Sequence, residues 1–270
     1  MLRILFIGDI IGQDGLNLCT DFIPLLKRDI KADFCIANGE NLDAGKGISK
    51  KQAEKLLESG VDVITGGNHI WQKNSIQVLE SINLKTLRPA NYPDENPGRG
   101  FLIIQSTTKK IAVTNLQGRS FLPPIDCPFK TGLNIVSELK KETPVILVDF
   151  HAEASAEKQA LGWYLDGKIS ALIGTHTHVQ TADERILPKG TAYITDAGMS
   201  GSFNGVIGME VSNAIKRFTS QVPKYFKLAT GNVRINGVVV SINENTGKAI
   251  DIKRLNFSRE EYERIKNTQW

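Results

Sequence analysis

The sequence predicts an α/β protein built around a largely parallel sheet, and two observations support this fold class. Five short apolar runs rich in β-branched residues are each followed at once by polar or glycine residues, and segments of helical periodicity lie between them. Continuous apolar runs of this length are typical of strands buried on both faces. The alternation of strands with helices indicates βαβ units. The predicted strands lie in segments 3–9, 33–41, 61–69, 144–153 and 170–178.

The predicted helices have apolar residues at a spacing of three and four. The first, within 16–31, contains Pro24, which predicts a kink or the start of a second helix. The second, within 48–60, has Ser49 as its N-cap and Gly60 as its stop signal. Further helices are predicted in segments 134–142, 157–167 and 258–267.

Two other stretches predict antiparallel strand pairs. Residues 100–116 contain a hairpin pattern with a polar turn, and residues 232–256 contain two longer strands joined by a polar turn. Together with the parallel units they predict a single mixed α/β domain over residues 1–270, arranged as two packed sheets. Whether residues 85–135 form a small cap region over the site is left open by the sequence.

Composition and charge narrow the class of protein. The chain has 270 residues, 41% of them hydrophobic and 23% charged, which is ordinary for a globular protein. The net charge of +4 is spread along the chain, which suits an anionic substrate and does not predict a stable nucleic-acid partner. No apolar stretch predicts a membrane span. The three cysteines (Cys19, Cys35 and Cys127) are widely separated, which favours a reducing cytoplasmic location.

Side chains suited to catalysis follow the predicted strands, at the carboxyl ends where ligands bind in α/β sheets. They include all four histidines of the chain. We therefore predict one crevice lined by carboxylate, carboxamide and imidazole groups. The residues are Asp9, Glu40, Asn41, Asn68, His69, His151, His176 and His178.

The spacing of the last two histidines predicts a metal site. His176 and His178 are separated by one residue, and in an extended strand such side chains project to the same side. On its own this pair is as consistent with packing as with ligation. Nitrogen and oxygen donors together suit Fe, Mn, Zn or Co better than Ca²⁺ or Mg²⁺. The candidate ligands outnumber those of one tetrahedral zinc, which indicates two metals about 3.5–4 Å apart with Glu40 shared between them.

The motifs GDIIG, NGEN, GGNH, HAE and GTHTHVQ, in this order, resemble those of the calcineurin-like metallophosphoesterase superfamily. The NGEN motif and the stretch from residue 151 to residue 193 resemble the YmdB-type phosphodiesterases in particular. This resemblance covers nearly the whole chain and implies the superfamily's sandwich of two mixed β-sheets flanked by helices. Most of the superfamily opens with a DxH motif, whereas Ile10 and Ile11 follow Asp9 here. Glu40 and Asn41 then supply what that histidine and a bridging aspartate supply elsewhere.

The resemblance also implies how the ligands divide between two metals. The first metal takes Asp9, Glu40, Asn41 and His178. The second takes Glu40, Asn68, His151 and His176. Glu40 bridges, and His69 is left as the general acid. The implied metals are iron first and manganese next, and the implied reaction is attack of a metal-bridging hydroxide on a cyclic nucleotide. The expected substrates are 2′,3′-cyclic mononucleotides, then 3′,5′-cyclic AMP.

Other functions remain open at this level. A phosphomonoesterase or nucleotidase uses the same metal core, and a regulatory protein that binds RNA or another partner would keep the metals as structural elements. A metal-dependent amidohydrolase also uses an HxH pair, but at the first strand of a barrel, where this chain has Asp9. Homo-oligomerisation is left open. Trp71 and Tyr92 either stack a nucleobase or are buried at a loop edge. Arg119 and Asp196 are expected in surface or turn positions.

Overall fold

The computed structural model describes residues 1–222 and 227–265, and within them the chain forms two mixed sheets flanked by helices. In chain order the strands are β1 (Leu2–Ile7), β2 (Asp9–Ile10), β3 (Phe34–Asn38), β4 (Val63–Thr65), β5 (Phe101–Gln105), β6 (Lys110–Gln117), β7 (Ile146–His151), β8 (Ala171–Thr175), β9 (Arg185–Ile186), β10 (Ala192–Ile194), β11 (Met199–Ser202), β12 (Val233–Ile242) and β13 (Ala249–Ser258). The helices are α1 (Gly12–Ile30), α2 (Lys50–Glu58), α3 (Ser75–Glu80), α4 (Pro128–Leu139), α5 (Ser155–Leu165), α6 (Val211–Ser220) and α7 (Arg259–Ile265). The last two residues of the helix predicted at 258–267 lie outside the described ranges.

The two sheets combine parallel and antiparallel pairs. The first has the order β2-β11-β12-β1-β3-β4, with β13 paired to β12, and the second has the order β5-β6-β7-β8-β10-β9. The parallel pairs β1–β3, β3–β4, β6–β7 and β7–β8 join the five apolar runs seen in the sequence to their neighbours. Both predicted antiparallel pairs, β5–β6 and β12–β13, are confirmed. The predicted fold class is therefore confirmed.

Each sheet is buried on both faces, which explains the continuous apolar runs. Between the sheets, Phe6 and Ile36 of the first share a buried core with Leu147 and Ile173 of the second. A second core packs α1 and α2 against the outer face of the first sheet, and a third packs α4 and α5 against the second sheet. This gives four layers, helix–sheet–sheet–helix. Among the described residues, no helix combines the length and the apolarity needed to cross a bilayer.

The observed helix boundaries show which local sequence signals correctly predicted where a helix begins or ends. α1 continues through Pro24 as one helix from residue 12 to residue 30, so the alternative of a second helix is wrong. Its buried apolar face packs on the first sheet and supports the helix on both sides of the proline. α2 begins after Ser49, as predicted, and Gly60 follows its end with a φ of 103°.

The N-cap of α2 supports a stability prediction. Oγ of Ser49 accepts a hydrogen bond from the backbone N–H of Gln52 at 3.4 Å, and Oε1 of Gln52 accepts from the backbone N–H of Ser49 at 2.9 Å. Replacing Ser49 with alanine removes this capping box, and we expect the free energy of unfolding to fall by about 1 kcal/mol in urea denaturation. Ser59→Ala, at the other end of the same helix, is the control and should change it by less than about 0.5 kcal/mol. Equal effects of the two substitutions would contradict the capping role.

Candidate metal centre

The two sheets open at one common edge, and the eight predicted site residues lie there. The carboxyl ends of β3 and β4 in the first sheet meet those of β7 and β8 in the second. Seven of the eight side chains are held in place by hydrogen bonds to others of the set or to nearby backbone. In chain order, Asp9 begins β2, Glu40 and Asn41 follow β3, Asn68 and His69 follow β4, His151 ends β7, and His176 and His178 follow β8.

One group of donor atoms surrounds the imidazole of His151. Its Nε2 lies 2.9 Å from Oε1 of Glu40 and 3.0 Å from Oδ1 of Asn68. Nδ1 of His176 is also 3.0 Å from that Nε2. One ligand atom each from Glu40, His151 and His176 lie within 4.8 Å of one another, a separation that suits a metal ion.

A second group surrounds the side-chain amide of Asn41. Its Nδ2 lies 3.5 Å from Oδ1 of Asp9 and 3.5 Å from Oε1 of Glu40. Nε2 of His178 is 3.4 Å away. Because the O and N of an amide are assigned rather than observed, the Asn41 oxygen can equally face this group. Oε1 of Glu40 belongs to both groups, so the structure brings the predicted ligands together as two neighbouring sets that share one carboxylate oxygen.

The His176–His178 segment is a turn, and the strand geometry predicted for it is wrong. β8 ends at Thr175, and the φ angles of His176 and His178 are 100° and 66°. The turn is held by buried carboxylates. Oδ2 of Asp196 accepts from the backbone N–H and the hydroxyl of Thr177 at 3.0 and 2.8 Å, and Oδ2 of Asp9 accepts from the backbone N–H of His176 at 3.1 Å. These bonds offset the cost of positive φ in residues other than glycine.

A hydrogen-bonded chain orients the buried ring of His151. The hydroxyl of Thr175 donates to Oδ1 of Asp149 at 2.7 Å, so its oxygen accepts from Nδ1 of His151 at 3.0 Å. Nδ1 therefore carries the proton and Nε2 presents its lone pair to the donor cluster. Gly67 packs flat against this ring, and a Cβ at that position would lie 2.3 Å from the imidazole. The second glycine of the GGNH motif is thus required by the close approach.

The rings of His178 and His176 are also held through the ring nitrogen that faces away from the cluster. Nδ1 of His178 donates to the carbonyl of Ile207 at 3.0 Å, which leaves Nε2 facing Asn41. Nε2 of His176 lies 3.0 Å from Oε2 of Glu153, which leaves Nδ1 facing His151. Each ring thus keeps one nitrogen for the cluster, the usual arrangement of metal-binding histidines.

Burial shifts the titration of these groups towards their neutral forms. It raises the pKa of Asp9, and the nearby Asp196 and Glu40 carboxylates raise it further. Burial likewise raises the pKa of Glu40, lowers that of His151, and lowers that of His176 to about 3. Among the residues that the structure describes, four buried carboxylates meet here with one buried ammonium, that of Lys158. The site therefore favours an added cation.

His69 lies at the edge of the cluster. Its backbone N–H donates to Oε2 of Glu40 at 2.9 Å, and Nε2 of Gln72 lies 3.1 Å from its ring Nδ1. With the Gln72 amide donating to Nδ1, the ring proton resides on Nε2. Burial lowers the pKa of His69, and the Glu40 carboxylate acts in the opposite direction. The ring is half-buried, so it stays accessible to a bound molecule.

The sequence analysis did not identify some residues that contact the cluster, and it expected another at the surface. Asp149 and Thr175 were not singled out, although an acid within the apolar run of β7 is a usable signal. Asp196 is fully buried in an ion pair with Lys158, 2.6 Å away, so its expected surface position is wrong, although it does accept from the backbone N–H of Gly198 in a turn. Arg119 is exposed, as expected.

A helix–sheet–sheet–helix sandwich with carboxylate, carboxamide and imidazole donors at its common sheet edge defines a metallophosphoesterase. The family model described as YmdB-like protein matches residues 5–255. A Bacillus subtilis (strain 168) protein named 2′,3′-cyclic-nucleotide 2′-phosphodiesterase is 49% identical over 254 residues, which cover 94% of this chain and 96% of the relative. The chain belongs to the YmdB-like family, and it is a phosphoesterase.

Solved structures agree with this assignment. A crystal structure described as a novel phosphatase from Mycoplasma pneumoniae aligns with a TM-score of 0.88 at 36% identity, over 95% of this chain and 93% of that chain. An NAD nucleotidase from Haemophilus influenzae aligns with a TM-score of 0.60 at 14% identity, over 94% of this chain and 55% of that chain. At this lower identity the nucleotidase shows a shared fold.

Proposed function

We propose that this protein is a dinuclear-metal phosphodiesterase that hydrolyses cyclic nucleotides, with 2′,3′-cyclic mononucleotides as the first choice and 3′,5′-cyclic AMP as the second. The observation that carries the proposal is the pair of donor groups that share Oε1 of Glu40. The Bacillus subtilis relative, named for 2′,3′-cyclic nucleotides, supports the substrate class.

The donor set fits two transition-metal ions. We assign Asp9, Glu40, Asn41 and His178 to one ion and Glu40, Asn68, His151 and His176 to the other. Mixed imidazole and oxygen donors suit iron first and manganese next. When bound, two such ions lower the pKa of a coordinated water and neutralise charge that develops on the phosphoryl oxygens.

Residues of the protein orient the metal-binding histidines and supply a general acid. Asp149 and Thr175 hold the His151 ring, and Ile207 holds the His178 ring, so the cluster is preorganised. We assign His69 as the general acid because, of the four histidines, its ring alone lies outside both donor groups. It would donate the Nε2 proton to the oxygen that leaves phosphorus.

The hydrogen bond behind His151 gives a prediction for metal binding. In Thr175→Val the shape is kept but the acceptor for Nδ1–H is lost, so the ring is less well oriented and less basic. We expect metal affinity, measured by competition with a chelator, to fall by about 10–100-fold. The control is Thr114→Val, which removes a strand threonine hydroxyl that donates to the Gly100 carbonyl at 3.0 Å. If both variants keep the affinity of the unmodified protein, Thr175 does not act through His151.

The test of the proposed function combines metal content with turnover. Protein purified without chelators should contain close to two equivalents of iron or manganese by inductively coupled plasma mass spectrometry. It should hydrolyse 2′,3′-cyclic AMP and bis(p-nitrophenyl) phosphate but not p-nitrophenyl phosphate. In His69→Ala, turnover should fall by about 10²–10⁴-fold while the metal stays bound. Preference for p-nitrophenyl phosphate would instead identify a phosphomonoesterase, and metal-loaded protein without any turnover would identify a structural use of the metals.

The proposal extends to organisation and location. We treat residues 1–270 as one domain because the core between the sheets includes residues from both ends of the chain, such as Leu2 and Ile252. We place the protein in the cytoplasm, which the three free cysteines support, since two of them are buried thiols suited to a reducing compartment.

A further inference from the structure

A cavity of about 840 Å³ lies apart from the metal centre, beside the edge strand β5. Its walls come from residues 88–100, from β5, from the exposed Asp126 and from the middle of α4, and no residue of the metal centre lines it. Tyr92 is one of the lining residues. Its ring also packs on Trp71, with ring centroids 4.8 Å apart, two residues beyond His69. The volume is that of a pocket for a small organic molecule.

The cavity contains a buried arginine that lacks an anionic partner. The side chain of Arg88 is 5% exposed, its Nη1 donates to the carbonyl of Pro89 at 3.0 Å, and its Nε is buried with no hydrogen-bond partner. Within the described ranges no carboxylate reaches it at salt-bridge distance. Burial lowers the pKa of Arg88, and the exposed Asp94 at the cavity rim opposes this with a smaller effect.

A buried guanidinium of this kind is costly, because arginine does not lose its proton in proteins. The cost is relieved when an anion enters and accepts its N–H groups. A second arginine lines the same cavity. The backbone N–H of Arg88 donates to the carbonyl of Arg99 at 3.0 Å, and Arg99 also lines the cavity.

Part of the cavity lining is apolar. Phe101, Leu102 and Ile103 line it from β5, and Ile135 lines it from α4. The Phe101 side chain is 43% exposed, although it is a large apolar group. This combination of two arginines and an apolar surface in one cavity matches a phosphate joined to a planar ring, whereas inorganic phosphate alone would leave most of the volume unused.

We propose that this cavity binds a nucleoside monophosphate, with its phosphate at Arg88 and Arg99 and its base on the apolar wall of β5. Asn134 and Thr131 lie at the rim on α4, where they offer hydrogen-bond partners to the sugar. The site is separate from the metal centre, so it does not depend on the proposed phosphodiesterase activity.

The experiment is isothermal titration calorimetry of the metal-loaded protein with adenosine 5′-monophosphate, adenosine and inorganic phosphate. We expect a binding event for the monophosphate that persists in Glu40→Gln, where the metal centre is altered. It should weaken by about tenfold or more in Arg88→Met and in Arg99→Gln, since each loses a charged hydrogen bond. Asn134→Trp should weaken it as well, because it fills the rim from an exposed helix position that folding does not require.

The controls separate this site from general charge effects and from misfolding. Lys130→Gln removes an exposed cation of α4 that does not line the cavity, and it should leave binding unchanged. If Arg88→Met fails to fold, Arg99→Gln and Asn134→Trp decide the matter. The proposal is overturned if the monophosphate does not bind, if these two variants bind it as the unmodified protein does, or if the only binding event disappears in Glu40→Gln. Equal affinity for inorganic phosphate would overturn the assignment of a nucleotide.

Discussion

Replacing Glu40 with glutamine is expected to lower turnover of 2′,3′-cyclic AMP by about 10³-fold or more, because this side chain is the one shared by both donor groups. Its Oε1 lies 2.9 Å from Nε2 of His151 and 3.5 Å from Nδ2 of Asn41. Its Oε2 accepts from the backbone N–H of His69 at 2.9 Å. Glutamine keeps the shape but removes the negative charge from a buried site, so the two proposed metals would lose the anionic ligand that they share.

The measurement pairs turnover with metal content for the unmodified protein and for Glu40→Gln. The matched control is Glu153→Gln. That carboxylate is half-exposed and touches the cluster only through Nε2 of His176, at 3.0 Å. We expect Glu153→Gln to cost about 10–100-fold in metal affinity or activity, the range for a group that orients a ligand. If Glu40→Gln kept both metals and more than a tenth of the turnover, the interpretation of Glu40 as a bridge would be wrong.

The positions of the strands and of most site residues follow from local properties of the sequence. A strand buried on both faces must be apolar at consecutive positions, so β1, β3, β4, β7 and β8 are visible as continuous runs. Parallel strands place their carboxyl ends at one edge, so polar residues that follow such runs converge whatever the intervening helices are. Asp9, Glu40 and His151 could therefore be grouped from the sequence alone.

The turn at His176–His178 could not be predicted in this way. Its positive φ angles are supported by tertiary hydrogen bonds that the carboxylates of Asp196 and Asp9 accept, and Asp9 is distant in sequence. The same limit applies to Lys158. A lysine on an amphipathic helix normally points to solvent, and only the packed structure shows that α5 directs Lys158 inward to a buried aspartate.

Substitution within this buried ion pair is expected to have a large effect on stability. Nζ of Lys158 lies 2.6 Å from Oδ2 of Asp196, and both side chains are fully buried. Removing one partner of such a pair leaves an uncompensated charge in the interior. We expect Lys158→Met to lower the free energy of unfolding in urea by about 3–5 kcal/mol. Asp196 accepts from the backbone N–H of Thr177 and raises the pKa of Asp9. Loss of the Lys158 ammonium, which pairs with Asp196, is therefore expected to weaken the candidate metal centre as well.

Two comparisons test whether the destabilisation comes from the unpaired buried charge of Asp196 or simply from the loss of a lysine side chain. Lys141 and Glu138 are also 2.6 Å apart, but each side chain is 68% exposed, so Lys141→Met should cost at most about 1 kcal/mol. In the double variant Lys158→Met with Asp196→Asn, the asparagine oxygen can still accept from Thr177, but no charge is left unpaired. We expect this double variant to be more stable than Lys158→Met alone, a coupling that a double-mutant cycle measures directly. If the second substitution did not restore stability, or if Lys158→Met behaved like Lys141→Met, the unpaired charge of Asp196 would not be the cause.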